Sequence, residues 1–411
     1  MCGAMTSPIW WEFMASRQLT DARNLVDKFW DIVILGGGLG GLSLAVELSA
    51  AEFSGISVLV LEKREDYVRD RTWSYWAHQC HRYSHLERHQ WNQWCVSCEG
   101  VKHQLLSKDL CYASLDADAF YKAALDVIAA SPNVVLRTNT AVDKVETPEP
   151  HNSSVTLLTG ELVRARIVLD ARPEPLTEEK GLVQQFVGWE VEAEQDIFNA
   201  EAVQLMAFEP AANGVHFFYV LPYSARCALV ESTWICPAAW HPDFDSELRQ
   251  YLTKIAGPIA YAVSYREQGV LALQGGSPGM PVKPGACVGL GRGGGALRAA
   301  TGYAFIDTVG HARQIAKSLG AALRDGTQET WLPAAFRRSA IDRWMDDVFL
   351  GVLAQDWHRA PEYFMQLFGS VSPDDVVAFL TGRATWGQRL RIMRALPVAP
   401  FARQALLGRS L

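Results

Sequence analysis

The 411-residue chain has no continuous apolar run of the roughly 18 residues that a membrane-crossing helix needs. It has no excess of positive charge either. Its 38 Lys and Arg stand against 45 Asp and Glu, a net of −7, which argues against a broad nucleic-acid surface. The eight cysteines are scattered without the spacing of a disulfide framework. One C-x2-C pair, Cys95 and Cys98, has no second pair or histidine set to complete a zinc site, so no metal is expected. A reducing cytosol fits that cysteine usage. Internal repeats and low-complexity tracts are lacking, and the opening "MCGAMTSPIWWEFMASRQLTD" carries acids and no apolar core, unlike a secretion signal. Residues 1–30 therefore read as an extension, in which Met14 is an equally good start, or as an amphipathic membrane foot.

What is present is apolar bulk. Hydrophobic residues make up 49% of the chain, enough for two or three units with a sizeable core. The 14 tryptophans suit an apolar substrate, a membrane interface or simply an aromatic-rich interior.

The front end carries a dinucleotide fingerprint. "DIVILGGGLGGLSLAVELSA" reads as a buried strand, a glycine turn and a helix, with Gly36, Gly38 and Gly41 at G-x-G-x-x-G spacing. The first glycine permits the turn, the second lets backbone approach a pyrophosphate, and the third lets helix and strand pack closely. The helix N-terminus then offers free amides and a positive dipole to phosphate. "ISVLVLEKR" supplies the next strand and ends on Glu62, where an acid accepts ribose hydroxyls.

The sequence after that strand decides between NAD and FAD. A simple dehydrogenase would continue with alternating strands and helices. Here "RDRTWSYWAHQC" and a tryptophan-rich stretch intervene before the helix "DADAFYKAALDVIAAS", followed by "NVVLRTNTAVDKVE" and "SVTLLTGELVRARIVLDAR". Strand, antiparallel excursion and return strand are typical of glutathione-reductase-type FAD domains. A second strand, glycine loop and helix, "GACVGLGRGGGALRAATGYAFIDTVGHARQIAKSL", returns to the nucleotide theme. In such folds this loop lies against the flavin, which makes Gly293, Gly294, Thr301 and Gly302 cofactor-binding candidates. Arg172, beside Asp170 in "LDAR", is a further polar anchor near the flavin.

The expected architecture is α/β, with an FAD-binding Rossmann-like domain of the glutathione-reductase type over 31–184 and 277–325. An interleaved antiparallel β-sheet substrate domain covers 185–276, and a C-terminal helical region covers 326–411. The helical region serves as a cap or as a lid over an apolar tunnel.

One charge stands out. "HFFYVLPYSARCALVEST" reads as two apolar strands around a polar turn, with Glu231 on the face shared by Cys227, Leu229 and Thr233. A carboxylate there costs several kcal/mol unless it is paired, solvated or kept protonated.

The motifs "RDRTWSYW", "VLDAR", "FVGWEVE", "FFYVLPYS…ALVEST", "TGYAF" and the tail "FMQLFGSVSPDDVVAFLTGRATWGQRLRIMRALPV" resemble the bacterial lycopene β-cyclase family in order and spacing from about residue 30 to 405. The resemblance implies an FAD enzyme that closes the linear ends of a carotenoid into β-rings without net oxidation. It implies Glu231, in the family's "L-x-E-x-T" strand, as the acid that protonates an alkene. It also implies a reduced, anionic flavin beside the cation, with NAD(P)H needed only to reduce it. Trp73, Tyr75, Trp76, Trp189, Glu190 and Tyr303 are candidates to line the substrate site; ordinary core packing is the competing reading for the aromatics, and a solvated edge-strand charge for Glu190.

The chain departs from the family at the second glycine loop. Where the family usually reads H-P-x-T-G-Y, this chain has "ALRAATGY", so Arg298 and Ala299 stand in place of histidine and proline. That leaves the exact substrate open to another polyene or prenyl chain. An FAD-dependent monooxygenase is a second reading of the same scaffold, although its usual G-D-A beside the flavin is absent. A carrier that kept FAD for structure is a third. A lipophilic polyene must come from a bilayer, so the protein is expected in the cytoplasm, peripherally bound to the inner face of the membrane. The oligomeric state is not legible.

Overall fold

A computed structural model describes residues 28–149, 151–173, 181–273 and 287–407. Nearly all of the extension assigned to 1–30, and the 276/277 boundary, lie outside the described residues.

Strands and helices are numbered in chain order. A first sheet runs β8 (Val134–Arg137), β2 (Val58–Leu61), β1 (Phe29–Leu35) and β11 (Leu162–Asp170), all parallel. β10 (Asn152–Leu157) pairs antiparallel with the first half of β11 and carries β9 (Val142–Glu149), while β17 (Val288–Gly289) pairs in parallel with its last two residues. The central strands are continuous apolar runs, "VLVL" among them, because both faces of a parallel sheet are covered. Helices α1 (Leu39–Leu48), α2 (Ala117–Ala130) and α4 (Phe305–Arg324) build one core against this sheet.

The second sheet runs β16 (Tyr261–Leu273), β12 (Leu182–Ala193), β15 (Cys227–Pro237), β14 (Val215–Pro222), β13 (Ala202–Glu209), β5 (Gln93–Cys98) and β6 (Val101–Leu106). It is antiparallel except where β13 meets β5. Its outer face holds α3 (Phe244–Ala256). A small third sheet, β3 (Thr72–Ala77), β7 (Cys111–Asp116) and β4 (His89–Trp91), joins the two layers. Helices α5 (Ala340–Gln355), α6 (Ala360–Ser370), α7 (Pro373–Leu380), α8 (Trp386–Ala395) and α9 (Val398–Leu407) form the C-terminal region, which shares a core with the inner face of the second sheet. Among the described residues no helix is long and apolar enough to cross a membrane.

The sheets divide the chain differently from the linear spans expected of the sequence. β5 and β6, with Cys95 and Cys98, lie inside 31–184 yet extend the second sheet, and residue 184 falls within β12. The cause is the parallel pairing of β5 with β13, which joins positions more than a hundred residues apart and leaves no local pattern.

Candidate active site

The first site is the nucleotide cradle. Gly36 adopts φ +91°, and a Cβ on Gly41 would sit 1.9 Å from the Gly36 carbonyl oxygen, so both positions require glycine. A Cβ on Gly38, the residue before α1, would meet only the Arg64 guanidinium, at 3.6 Å, which leaves the helix N-terminus open to approach. Glu62 is buried at the tip of β2, where its carboxylate accepts from the Gly37 amide at 2.5 Å and the Arg64 amide at 2.9 Å. Burial works against its ionisation, but those bonds and the Arg64 guanidinium outweigh it, so Glu62 sits below its ordinary value.

The second glycine loop packs onto the first. A Cβ on Gly40 would lie 3.4 Å from the Gly291 Cα, one on Gly293 2.5 Å from the Arg172 carbonyl oxygen, and one on Gly294 2.4 Å from the Gly289 carbonyl oxygen. Arg172 turns to Asp170, donating through Nε at 2.9 Å and through the terminal nitrogen at 2.7 Å. The pair closes the end of β11 beside the loop. Crowded glycines, an open helix N-terminus and a buried acid at the strand tip are a donor set that fits a dinucleotide such as FAD.

The second site lies on the inner face of the second sheet. In the register, Gly188 of β12 faces Glu231 of β15 on one side and Glu267 of β16 on the other. Because Gly188 has no side chain, the two carboxyls reach across the middle strand and hydrogen-bond to each other. A Cβ on Gly188 would lie 3.0 Å from the Glu231 Cγ and 3.1 Å from the Glu267 Cγ. Exposure is 8% for Glu231 and 5% for Glu267, too little for water to solvate two charges. Burial first, then the charge of Glu267, push Glu231 well above the ordinary carboxylate range. Burial also raises Glu267, which stays above its ordinary value although a 2.9 Å hydrogen bond from Thr72 Oγ1, the bonds with Glu231 and Tyr265 and the nearby Arg69 charge work against the rise. Burial thus favours the neutral form at both positions, most strongly at Glu231, while the Thr72 and Arg69 contacts favour charge on Glu267.

An aromatic wall continues from the pair. Tyr219 is the register partner of Glu231, and its hydroxyl donates to the Tyr112 hydroxyl at 3.0 Å. Tyr303 in turn lies edge-on to Tyr112 with ring centres 6.3 Å apart, and Trp76 does so at 4.8 Å. The T-G-Y loop is thus joined to Glu231 through Tyr303, Tyr112 and Tyr219. Gly302, at φ +70°, sits where a Cβ would be 3.2 Å from Gln184 and Leu271, at the end of the same sheet. Thr301 Oγ1 accepts from the Tyr303 amide at 3.3 Å and shapes the turn.

Several expected lining residues lie elsewhere, for one physical reason: neighbours on a strand point to opposite faces. Trp73 turns into the first core, where it meets Phe120 at 5.3 Å; Tyr75 stacks there on Phe305 at 4.5 Å but also lines a cavity together with Trp76 and Tyr303. Thr72 and Trp76 take the other side of β3, toward the second sheet. Trp189 faces outward beneath α3, with Arg266 4.7 Å from its ring centre. Glu190 does share the inner face, but Arg88 holds it in two bonds of 2.7 and 2.8 Å and Arg69 in one of 2.7 Å. Burial alone would raise it; these partners hold it ionised, below its ordinary value, so it is neither a solvated edge charge nor free to act.

Glu267 is the residue that sequence reasoning missed. Along the largely exposed edge strand β16 only Glu267 and Leu273 are buried, and nothing in the local sequence marks the carboxyl among them.

The structure also accounts for Arg298. It is fully buried, and its guanidinium lies 3.0 Å from Asp346 of α5 and donates to the Phe379 carbonyl of α7. The altered loop is therefore fastened to the helical region. A second buried pair, Arg389 and Asp342 at 2.8 Å, braces the same helices.

Comparisons with known proteins agree with this geometry. The family described as lycopene cyclase protein matches residues 31–406. The lycopene beta-cyclase of Pantoea ananas is 25% identical over 401 residues, covering 92% of this chain and 98% of that protein. Among solved structures, a geranylgeranyl bacteriochlorophyll reductase-like protein from Thermoplasma acidophilum superposes with a TM-score of 0.58 at 13% identity, over 93% of this chain and 100% of that one. The p-nitrophenol 4-monooxygenase PnpA of Pseudomonas putida gives 0.56 at 16% identity, over 93% and 100%. These likenesses place the chain in the fold of flavin-dependent reductases and monooxygenases.

Proposed function

Since the chain belongs to the lycopene cyclase family, we propose that it closes the linear ends of lycopene, or of a closely related carotenoid, into β-rings, with the neutral carboxyl of Glu231 as the acid. The observation that carries this reading is the carboxyl pair, because protonating an alkene carbon demands a strongly positioned acid in a dry site. Glu231 meets that demand, and Glu267 is the positioning residue that keeps the proton on it.

The steps balance without net oxidation. The Glu231 O–H transfers its proton to the terminal alkene, whose π electrons form the new C–H bond and leave a carbocation on the adjacent carbon. The next alkene attacks that cation and closes the ring. A neighbouring C–H then gives up its proton to the Glu231 carboxylate and restores a double bond. The π faces of Tyr219, Tyr112, Trp76 and Tyr303 provide an electron-rich, water-poor wall against which the cation is less costly. Reduced FAD, held by the cradle of Gly36, Gly38, Gly41, Glu62 and the second glycine loop and reduced by NAD(P)H, would supply a negative charge near the cation.

The test is product mass. Cyclisation leaves it unchanged, whereas a monooxygenase on this fold would add an oxygen atom. A Glu231→Gln enzyme that still forms ring at the native rate would remove the basis of this reading.

A further inference from the structure

Charge is segregated at the end of the chain. Residues 376–411 contain six arginines, no lysine and no Asp or Glu, in a protein whose net charge is −7. Two of the six are spoken for: Arg389 pairs with the buried Asp342, and Arg391 with Asp375 at 2.6 Å. Arg383, Arg394 and Arg403 are exposed, and among the described residues no carboxylate lies within ion-pair distance of them.

The same segment exposes apolar side chains at helical spacing. On α8, Trp386, Leu390 and Arg394 stand at i, i+4 and i+8, and all three are exposed. On α9, Val398, Ala402 and Leu406 repeat the spacing, with Arg403 beside them. Residues four apart lie on one side of a helix, so each helix offers an outward face of apolar groups and arginines. The opposite faces are used: Ile392 and Arg389 are buried beneath α8, and Phe401 packs on Tyr363 beneath α9. Trp386 is 63% exposed and Leu406 88%, and with Leu390 and Val398 they leave apolar groups repeated along the outward side of each helix.

We propose that the outward faces of α8 and α9 dock the protein on an anionic lipid bilayer. Arginine attracts acidic headgroups, while Trp, Leu and Val enter the boundary between headgroups and acyl chains. The chemistry favours a bilayer over nucleic acid, since aliphatic side chains between the arginines contribute nothing to phosphate contact but gain from lipid burial. The purpose of the surface rests on the cyclase reading, because a carotenoid must be drawn from lipid; the surface itself does not. Its position also suits delivery, for the region that carries it is fastened through Arg298 and Asp346 to the loop bearing Tyr303.

The test is flotation of full-length protein with vesicles of phosphatidylglycerol mixed with phosphatidylcholine, against vesicles of phosphatidylcholine alone. The wild type should float with the anionic vesicles and release as salt rises. Each basic residue near an anionic surface is worth about a factor of five in affinity. Arg394→Glu with Arg403→Glu should therefore weaken binding by about 25-fold or more, and Trp386→Ala with Leu406→Ala should weaken it at any salt. If the charge reversal fails to fold, Arg394→Gln with Arg403→Gln gives the same reading at smaller amplitude. A wild type that does not float, variants that float as well as it does, or duplex DNA that displaces the vesicles would each overturn the proposal. Flotation is read without catalysis, so an inactive protein that still floats separates failure of the cyclase reading from failure of this one.

Discussion

Glu231 and Glu267 meet across a glycine. They sit on β15 and β16, either side of β12, and meet because Gly188 leaves the middle strand bare between them. Burial disfavours charge on both carboxyls, while Thr72 and Arg69 favour it on Glu267. The sheet thereby favours the neutral form of Glu231.

That arrangement has a stability signature. Glu231 is raised in the folded protein and ordinary in the unfolded chain. Its favourable contribution is therefore complete below the unfolded value and is lost as pH rises through the folded one. Glu231→Gln removes the titration and keeps the shape. The variant should melt higher than wild type at pH 8, and the gap should shrink as pH falls toward 5, as followed by thermal scans across that range. A variant less stable than wild type throughout would contradict the assignment of the proton.

Glu267 acts through its neighbour, so its removal should move a pH profile. With Glu267→Gln the like charge beside Glu231 disappears, and the pH above which kcat falls should drop. Activity at acidic pH should be largely kept. A uniform loss at every pH would mean that Glu267 only holds the fold together.

Gly188 is the hinge of the relationship. Gly188→Ala places a methyl about 3 Å from both Cγ atoms and must push the carboxyls apart. The fold should lose roughly 1–3 kcal/mol, a tolerable cost, while kcat falls far more than stability explains. Denaturant titration beside turnover measurements would separate the two.

Asp346 should be costly to remove. Asp346→Ala leaves the Arg298 guanidinium buried without its counter-charge, for a loss of about 3–5 kcal/mol. Replacing both partners, Arg298→Leu with Asp346→Leu, should recover most of it. Urea midpoints test both statements.

Much of this was legible in the sequence, and the rest was not, for definite reasons. Gly36, Gly38, Gly41 and Glu62 were readable because the cradle is built from one strand, turn and helix unit, in which spacing along the chain is geometry in space. Glu231 was readable because a lone acid in an apolar strand is conspicuous. Glu267 was hidden, since its burial depends on the pairing of Gly188 with positions 43 and 79 residues further on, at 231 and 267. Trp189 and Glu190 were assigned to one side although adjacent strand residues part company. The role of Arg298 depends on α5 and α7, brought to it by tertiary packing alone.

The central claim is tested most directly by incubating FAD-loaded protein anaerobically with lycopene-containing liposomes and NADPH, then separating the carotenoids by chromatography and weighing them by mass spectrometry. The account predicts a product of unchanged mass and shorter-wavelength absorbance, with kcat reduced by about 10²–10⁴ in Glu231→Gln while the flavin is still reduced normally. A product heavier by oxygen, or cyclisation undiminished in the variant, would contradict it.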